Sequence, residues 1–509
     1  QRCDGARPIC GPCARAEEPE CEYTDSGPAA SQILEREVAD LEARIRVLEG
    51  RTSDSITLHD PHAACRGRST GPGTTRYSEN PVEQLLYVFQ RCHGLCFFLN
   101  VPRFVRRLSA GRSAANGVLP SLAYAIQLLG LQFVDDPHLK AGEARLLERA
   151  LQAIGAATSD LEPHKVIDTL QAELLVSLYF FSKDRKLEGG YHLTAAVSIA
   201  VGCNLHKLRD PGTSANASAL VNARHRLAPP ADDIEAGERI LGFWILYTLD
   251  RCWSVVLKSQ SVLTQSYSSI DTPWPLDMSN YERLAQSLAH GNTQTVKTFL
   301  MNTNSTGWDR SLLALCAQAA TLYERAADMA SKWKPLAPSF QSAFLSVDNR
   351  IEHFKQNLPP LPTSDSAGSD TRTLPTAAEL SVHRCLLIIH TLSHSATIQL
   401  HTPLQQDHDP MNSRALASAI AAANLLQGVD VRGFGFVDPV LGSLWATIAQ
   451  VLLRGLVNLR RLRIRAASGS RGATHPAANL PGELMVTSAL DSIQIAMEGL
   501  GGTSLLIGT

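Results

Sequence analysis

The sequence predicts a mainly α protein: one large all-α body, preceded by a cysteine-rich loop region and a short parallel coiled coil. Three observations predict it. Beyond residue 80 apolar residues recur at helical spacing, as in Leu193, Ala196, Val197, Ala200, Val201, Leu205 and Leu208. Alternating strand patterns are scarce. Four of the cysteines crowd into the first 25 residues, where Gly and Pro interrupt any helical period.

In chain order, residues 1–25 form the cysteine region and residues 26–52 a linker with the coiled-coil segment. Residues 53–80 are rich in Gly, Ser, Thr and Pro and read as a flexible linker. Residues 81–358 form the first helical part. Strong helices are expected at Val166 to Phe181 and Tyr191 to Leu208, around a Lys-Gly turn, and at Ile234 to Leu257. Residues 359–375, with Pro359, Pro360 and Pro362, read as a second linker. Residues 376–509 carry helices near 376–402, 411–428, 438–465 and 482–499.

The 509 residues are enough for a large core, and 44% hydrophobic with 19% charged residues is ordinary for a globular protein. A net charge of −2 excludes polyanion binding by bulk electrostatics, so any nucleic-acid contact must be local. No unbroken apolar run reaches about 18 residues, so no membrane partner is expected. The seven cysteines beyond residue 25 are dispersed, which fits a reducing compartment better than a disulfide framework. No H-E-x-x-H, P-loop, Rossmann glycine fingerprint or G-x-S-x-G elbow is present, so no enzyme and no catalytic residue is expected.

The chain opens QRCDGARPICGPCARAEEPECEY, with Cys3, Cys10, Cys13 and Cys21 spaced C-x6-C-x2-C-x7-C. Thiolates bind zinc in tetrahedral sets at about 2.3 Å, and a C-x2-C pair lets Cys10 and Cys13 share one ion. Gly5, Pro8, Gly11 and Pro12 supply the turns. A reduced cysteine-rich tail and a disulfide knot are the alternatives.

This segment resembles the second half of the zinc binuclear cluster of fungal transcription regulators, which uses six cysteines. Cys3 matches the third, Cys10 the fourth, Cys13 the fifth and Cys21 the sixth; Cys3-Asp4-Gly5 and Pro8 match the family's loop. The resemblance implies a partial zinc-cluster loop region with Cys10 bridging two zincs in the intact cluster. It also implies double-stranded DNA as partner, with CGG-type half-sites read by lysine or arginine in the major groove. Of the basic positions before the third cysteine only Arg2 is present, and residues 1–25 carry six Asp/Glu against three Arg. Gln1 in place of Met and the missing front of the pattern predict upstream sequence. A cysteine is expected seven residues before Cys3 and another three residues before that, with basic residues between.

SQILEREVADLEARIRVLEG follows. With Ser31 at a, Val38 and Ile45 fall at a and Leu34, Leu41 and Leu48 at d. β-branched a residues with Leu at d favour a parallel two-stranded coil. The segment is short, roughly 30 Å at about 1.5 Å per residue, and the alternative is an amphipathic helix packed on its own body. A coil after the last cysteine is also this family's layout, which implies a homodimer whose geometry sets half-site spacing.

Further segments are similar to the fungal-specific transcription factor middle domain: His93 to Phe104 (HGLCFFLNVPRF), Gly189 to Arg209, Glu238 to Leu257 (ERILGFWILYTLDRCWSVVL) and Ile270 to Leu276 (IDTPWPL). The resemblance implies a large all-α regulatory domain, a nuclear location, and a small-molecule effector or a co-regulator as further partner. A cofactor or scaffold that binds no DNA is the alternative function. On their own chemistry, Phe243, Trp244 and Tyr247 read as core, and Glu238, Arg239, Asp250 and Arg251 as helix-surface or interhelical ion pairs. Trp274 reads as an indole anchor; Cys92 and Cys96, at i and i+4 with His93 nearby, as buried free thiols, with a metal site as the alternative; and His192 and His206 as satisfied core or surface histidines. The run Arg460 to Arg465 reads as a helix end favoured by the macrodipole, or as a nuclear-import signal.

Overall fold

The computed structural model describes residues 9–17, 39, 83, 88, 96–109, 117–133, 137–159, 161–208, 227–263, 270–283, 295–301, 311–334, 337–362, 376–403, 413–469 and 481–501. All regular structure among them is helical, as the sequence predicts. The chain divides into two compact units, Gln1–Gly73 and Thr74–Thr509.

In the first unit the described residues include one short helix, α1 (Gly11–Arg15), and a helical Ala39. Cys10 is its N-cap in extended conformation, Pro12 sits in the first turn, and Cys10 O accepts the Ala14 N–H at 2.9 Å. The coiled-coil positions Leu34, Val38, Leu41, Ile45 and Leu48 lie outside the described residues.

The second unit begins with α2 (Val101–Ser109), α3 (Pro120–Gly130), the short α4 (Pro137–Lys140) and α5 (Glu143–Ser159). α6 (Val166–Ser182) and α7 (Lys186–Gly202) follow, then α8 (Asp233–Val256), α9 (Met278–Arg283) and α10 (Thr295–Met301). The rest is α11 (Leu312–Ser331), α12 (Pro338–Gln356), α13 (Ala377–His401), α14 (Arg414–Asn424), α15 (Pro439–Gly469) and α16 (Pro481–Gly501). Helices are stacked in near-chain order: α5 and α6 on α3, then α7 on α6, α8 on α7, α11 on α8, α13 on α11, α14 on α13, and α15 with α16 on α14. α15 also touches α6 and α8, so the late helices return to the early ones. One continuous apolar core runs from Val88 to Leu500.

Two helices are buried on nearly every side: α6 from Asp168 to Phe181, and α8 from Ala236 to Ser254. A helix apolar all round belongs in a core. α8 starts at Asp232, whose carboxylate accepts the Glu235 N–H at 2.8 Å, while Glu235 accepts the Ala231 N–H at 2.9 Å. It stops at Lys258, whose φ of 52° is left-handed. α13 opens with a reciprocal capping box between Thr376 and Glu379.

Two expectations are corrected. The turn between α6 and α7 is made by Asp184, at φ 57°, and the glycines that suggested it lie inside α7. Gly189 is there for close packing: a Cβ would meet the Phe181 ring at 2.6 Å. α7 also ends at Gly202, before Leu208, because Asn204 turns left-handed at φ 61°. Within α15, Pro439–Ile464 is long and apolar enough to cross a membrane by length and composition, with mean hydropathy 1.6. Arg454 interrupts its apolar run, which is why no unbroken span of about 18 apolar residues is present there. Half of that window is buried in the body, as befits a core helix.

Candidate functional site

The cysteine motif comes first. Cys10 at the N-cap and Cys13 three residues on occupy one turn of α1, Cys10 buried and Cys13 half-buried. Residues three apart on a helical turn share a face, which suits two thiolates sharing one zinc. Cys3, Cys21 and Arg2 lie outside the described residues. Among the described residues no group of three His, Cys, Asp or Glu is placed to hold a metal.

The body has a polar junction inside its apolar core, where several of the sequence segments singled out above meet. Gln171, fully buried in α6, clamps the turn before α2: its Oε1 accepts the Phe98 N–H at 2.9 Å and its Nε2 donates to Cys96 O at 2.8 Å. Asn100 N–H donates to Glu238 at 2.8 Å and the Asn100 amide to Glu282 at 2.6 Å, tying that turn to α8 and α9. Burial pushes the Glu238 carboxyl up, against the pull of the Asn100 N–H and of Arg103 and Arg107. Arg107 of α2 grips Asp168 of α6 through two hydrogen bonds, at 2.9 and 2.5 Å. Gly242 lets α8 approach Phe98, whose ring a Cβ would meet at 3.1 Å.

On the other side of α8 the Ile270–Leu276 segment docks. Trp244 Nε1 donates to Pro273 O at 2.6 Å, and the Trp244 and Trp274 rings stack at 4.3 Å. Thr272 donates to Leu205 O at 2.6 Å, and Asp271 N–H to His206 O at 3.0 Å, which joins the end of α7 to the same segment. Burial, with Lys207 adding to it, pushes His206 down to about 4, so it is neutral at physiological pH. His192 is buried in a 2.6 Å hydrogen bond with Glu173 and stacks on Phe180.

Phe243, Trp244 and Tyr247 are core, as expected. Of the two readings of Glu238, Arg239, Asp250 and Arg251, helix-surface or interhelical, the structure buries all four, and Arg251 makes an interhelical pair. Arg251, with no exposure, faces Glu324 of α11 at 3.5 Å and lies over the Tyr247 ring at 4.9 Å. Arg239 pairs with Glu235 at 2.5 Å and donates to Ala228 O at 2.7 Å. Asp250 accepts the Ser261 hydroxyl. Packing of α8 on every side forces these charges inward, and each finds a polar partner there.

Cys252, Cys316 and Cys385, from α8, α11 and α13, line a cavity of about 20 Å³ with Thr248 and Asp438. That is room for one water. Burial holds Cys252 and Cys316 well above the ordinary thiol range and pushes Cys385 up to about 12, so all three are protonated and unreactive. Burial also raises the Asp438 carboxyl to about 6, against the Val440 N–H it accepts.

Sequence reasoning missed Gln171, Glu173 and the Arg107–Asp168 pair. The available signal was a run of polar residues, Asp168, Gln171 and Glu173, inside a helix otherwise apolar on all sides, since a buried polar group requires a partner.

No curated protein and no solved structure matches the chain. A family model does: residues 85–332, just under half of the chain, match the fungal specific transcription factor domain. The match starts before the Gln171-clamped turn and ends at Lys332, the C-cap of α11, so it takes in the polar junction but not α12 to α16. The body at residues 85–332 is similar to the fungal specific transcription factor domain, which indicates a fungal transcription regulator.

Proposed function

We propose that the protein is a nuclear, zinc-dependent, sequence-specific regulator of RNA polymerase II genes that binds DNA as a homodimer. The family match at residues 85–332 carries the reading, because it follows the cysteine set and the heptad segment in the order such a regulator requires. Cys10 and Cys13, adjacent on α1, hold zinc together with Cys3 and Cys21, and Cys10 bridges the two ions of a complete cluster. Zinc supplies the fold of that small region, as bound metal commonly does for structural thiolate sites. Basic residues ahead of Cys3, ending at Arg2, read CGG-type half-sites by bidentate contact with guanine O6 and N7. Leu34, Val38, Leu41, Ile45 and Leu48 pair two copies and fix half-site spacing. The helical body is the regulatory surface, for a small-molecule effector or a co-regulator.

The transcript's 5′ end is the first test, followed by zinc analysis and gel retardation with the complete product. The expected result is two further cysteines, seven and ten residues before Cys3, with basic residues between them. A CGG-containing duplex is then retarded in a zinc-dependent manner, and Cys10→Ser abolishes the shift. An upstream sequence without those cysteines, and no zinc-dependent shift, would refute the DNA-reading function and leave a regulatory partner that acts without touching DNA.

A further inference from the structure

We propose that a groove along α15 binds a small amphipathic organic anion, an apolar chain ending in a carboxylate or a similar acid. The groove begins as a cleft of about 390 Å³ where the end of α8, α11, the end of α13 and α15 meet. Its floor includes Tyr323 and Gln399, and Val255, Val256 and Val451 are among its walls. A neighbouring hollow of about 640 Å³ shares Thr402 and Arg454 with it and continues past Leu453 and Val457 to Arg461. Both volumes fall in the range of small-molecule sites, roughly 300–1,000 Å³.

Charge selects the ligand. Lys258, Arg454 and Arg461 line the two hollows, and among the described residues no carboxylate does. Among the described residues none of these three side chains has a hydrogen-bond or ion-pair partner. Lys258 follows the end of α8, where a cation offsets the helix carbonyls, so its charge alone would not mark a site. Arg454 and Arg461 stand well inside α15, Pro439 to Gly469, where that role is absent. Beside them Leu453 and Val457 are 51% and 46% exposed. Unpaired cations next to exposed apolar side chains in a concave surface suit an anion with an apolar tail, since the head gains charge-assisted hydrogen bonds and the tail is removed from water. The inference rests on the regulatory reading only in making such a ligand an effector. The binding test below involves no DNA, so its failure and that of the regulatory reading are distinguishable.

The test is calorimetric titration of the full chain with decanoate, with decanol as the uncharged probe. Saturable one-to-one binding of decanoate is expected, with decanol at least about tenfold weaker, because the charged head is what the cations recognise. Lys258→Gln with Arg454→Gln weakens decanoate by at least about tenfold, and Ala446→Phe, which fills the cleft, removes binding. Arg145→Gln with Lys334→Gln, the same charge change on exposed residues elsewhere, leaves it unchanged. Far-UV circular dichroism confirms the fold of each variant, and the two substituted cations are exposed, so their loss disturbs no core. Absence of saturable decanoate binding, equal affinity for decanol, or unchanged affinity in the Lys258/Arg454 variant overturns the proposal. So does sedimentation with phosphatidylglycerol vesicles that the same variant abolishes, which would make the groove a membrane-surface site.

Discussion

Gln171→Ala is the sharpest probe of the polar junction. The amide is fully buried and makes two hydrogen bonds to the backbone of residues 96–98, at 2.9 and 2.8 Å. Removing it takes an acceptor from the Phe98 N–H and a donor from the Cys96 carbonyl, and leaving a buried group unsatisfied costs about 1–3 kcal/mol each. The sum, about 2–6 kcal/mol, lowers the apparent Tm of the full chain by roughly 2–6 °C, at the roughly 1 °C per kcal/mol that the unfolding entropy of so large a body gives. Differential scanning fluorimetry at one scan rate reads the shift, since a body of this size unfolds irreversibly in many cases. Gln171→Leu separates hydrogen bonding from packing: it restores most of the volume and none of the hydrogen bonds, so it should remain within a kcal/mol or so of the alanine variant. A leucine variant as stable as the parent would show that the clamp contributes only volume, and the reasoning from buried polar groups would fail.

Other perturbations test the neighbouring contacts. Trp244→Phe loses the 2.6 Å hydrogen bond to Pro273 O and most of the stack on Trp274, and should cost about 1–3 kcal/mol; an unchanged urea midpoint would contradict the assigned docking of residues 270–276. Gly237→Val places a side chain where even a Cβ would lie 2.6 Å from the Tyr281 ring, and should lower the Tm by an overpacking cost of about 1–3 kcal/mol. Burial raises Asp348, but His401 at 2.9 Å and Arg414 outweigh it and hold the carboxyl below its ordinary range. Its contribution is therefore present above about pH 4 and lost as pH falls through its lower folded value, and Asp348→Asn should flatten the acid side of a Tm–pH profile. Asp438 behaves oppositely: raised by burial to about 6, it binds its proton more tightly folded than unfolded, so its contribution declines as pH rises from about 4 to about 6. Asp438→Asn, whose side-chain oxygen keeps the Val440 N–H, should remove that decline and raise the Tm at pH 7; a parallel profile would refute the buried-acid assignment.

How much of this was legible depends on what each residue's surroundings are made of. Helix positions follow from local periodicity, which is why α8 was expected at Ile234 to Leu257 and is found at Asp233–Val256. Local periodicity also mistook Gly189 and Gly190 for a turn, because the reason for glycine there is the Phe181 ring on another helix. The charges of α8 show the same limit more strongly. Glu238 and Arg251 read as helix-surface or interhelical pairs, and the sequence cannot choose between the two because a helix's own residues do not say how many neighbours will cover it. With α7, α9, α11 and α15 all packed against α8, no water-facing side remains, and the partners come from distant Asn100 and Glu324. Tertiary packing thus converts charges that would contribute little on a surface into constraints on how the early and middle helices meet. The groove along α15 was illegible for the complementary reason. Lys258 and Arg454 are each unremarkable on their own helix, and only their convergence across α8 and α15, with no carboxylate among the described residues of the cleft, gives them a ligand to select.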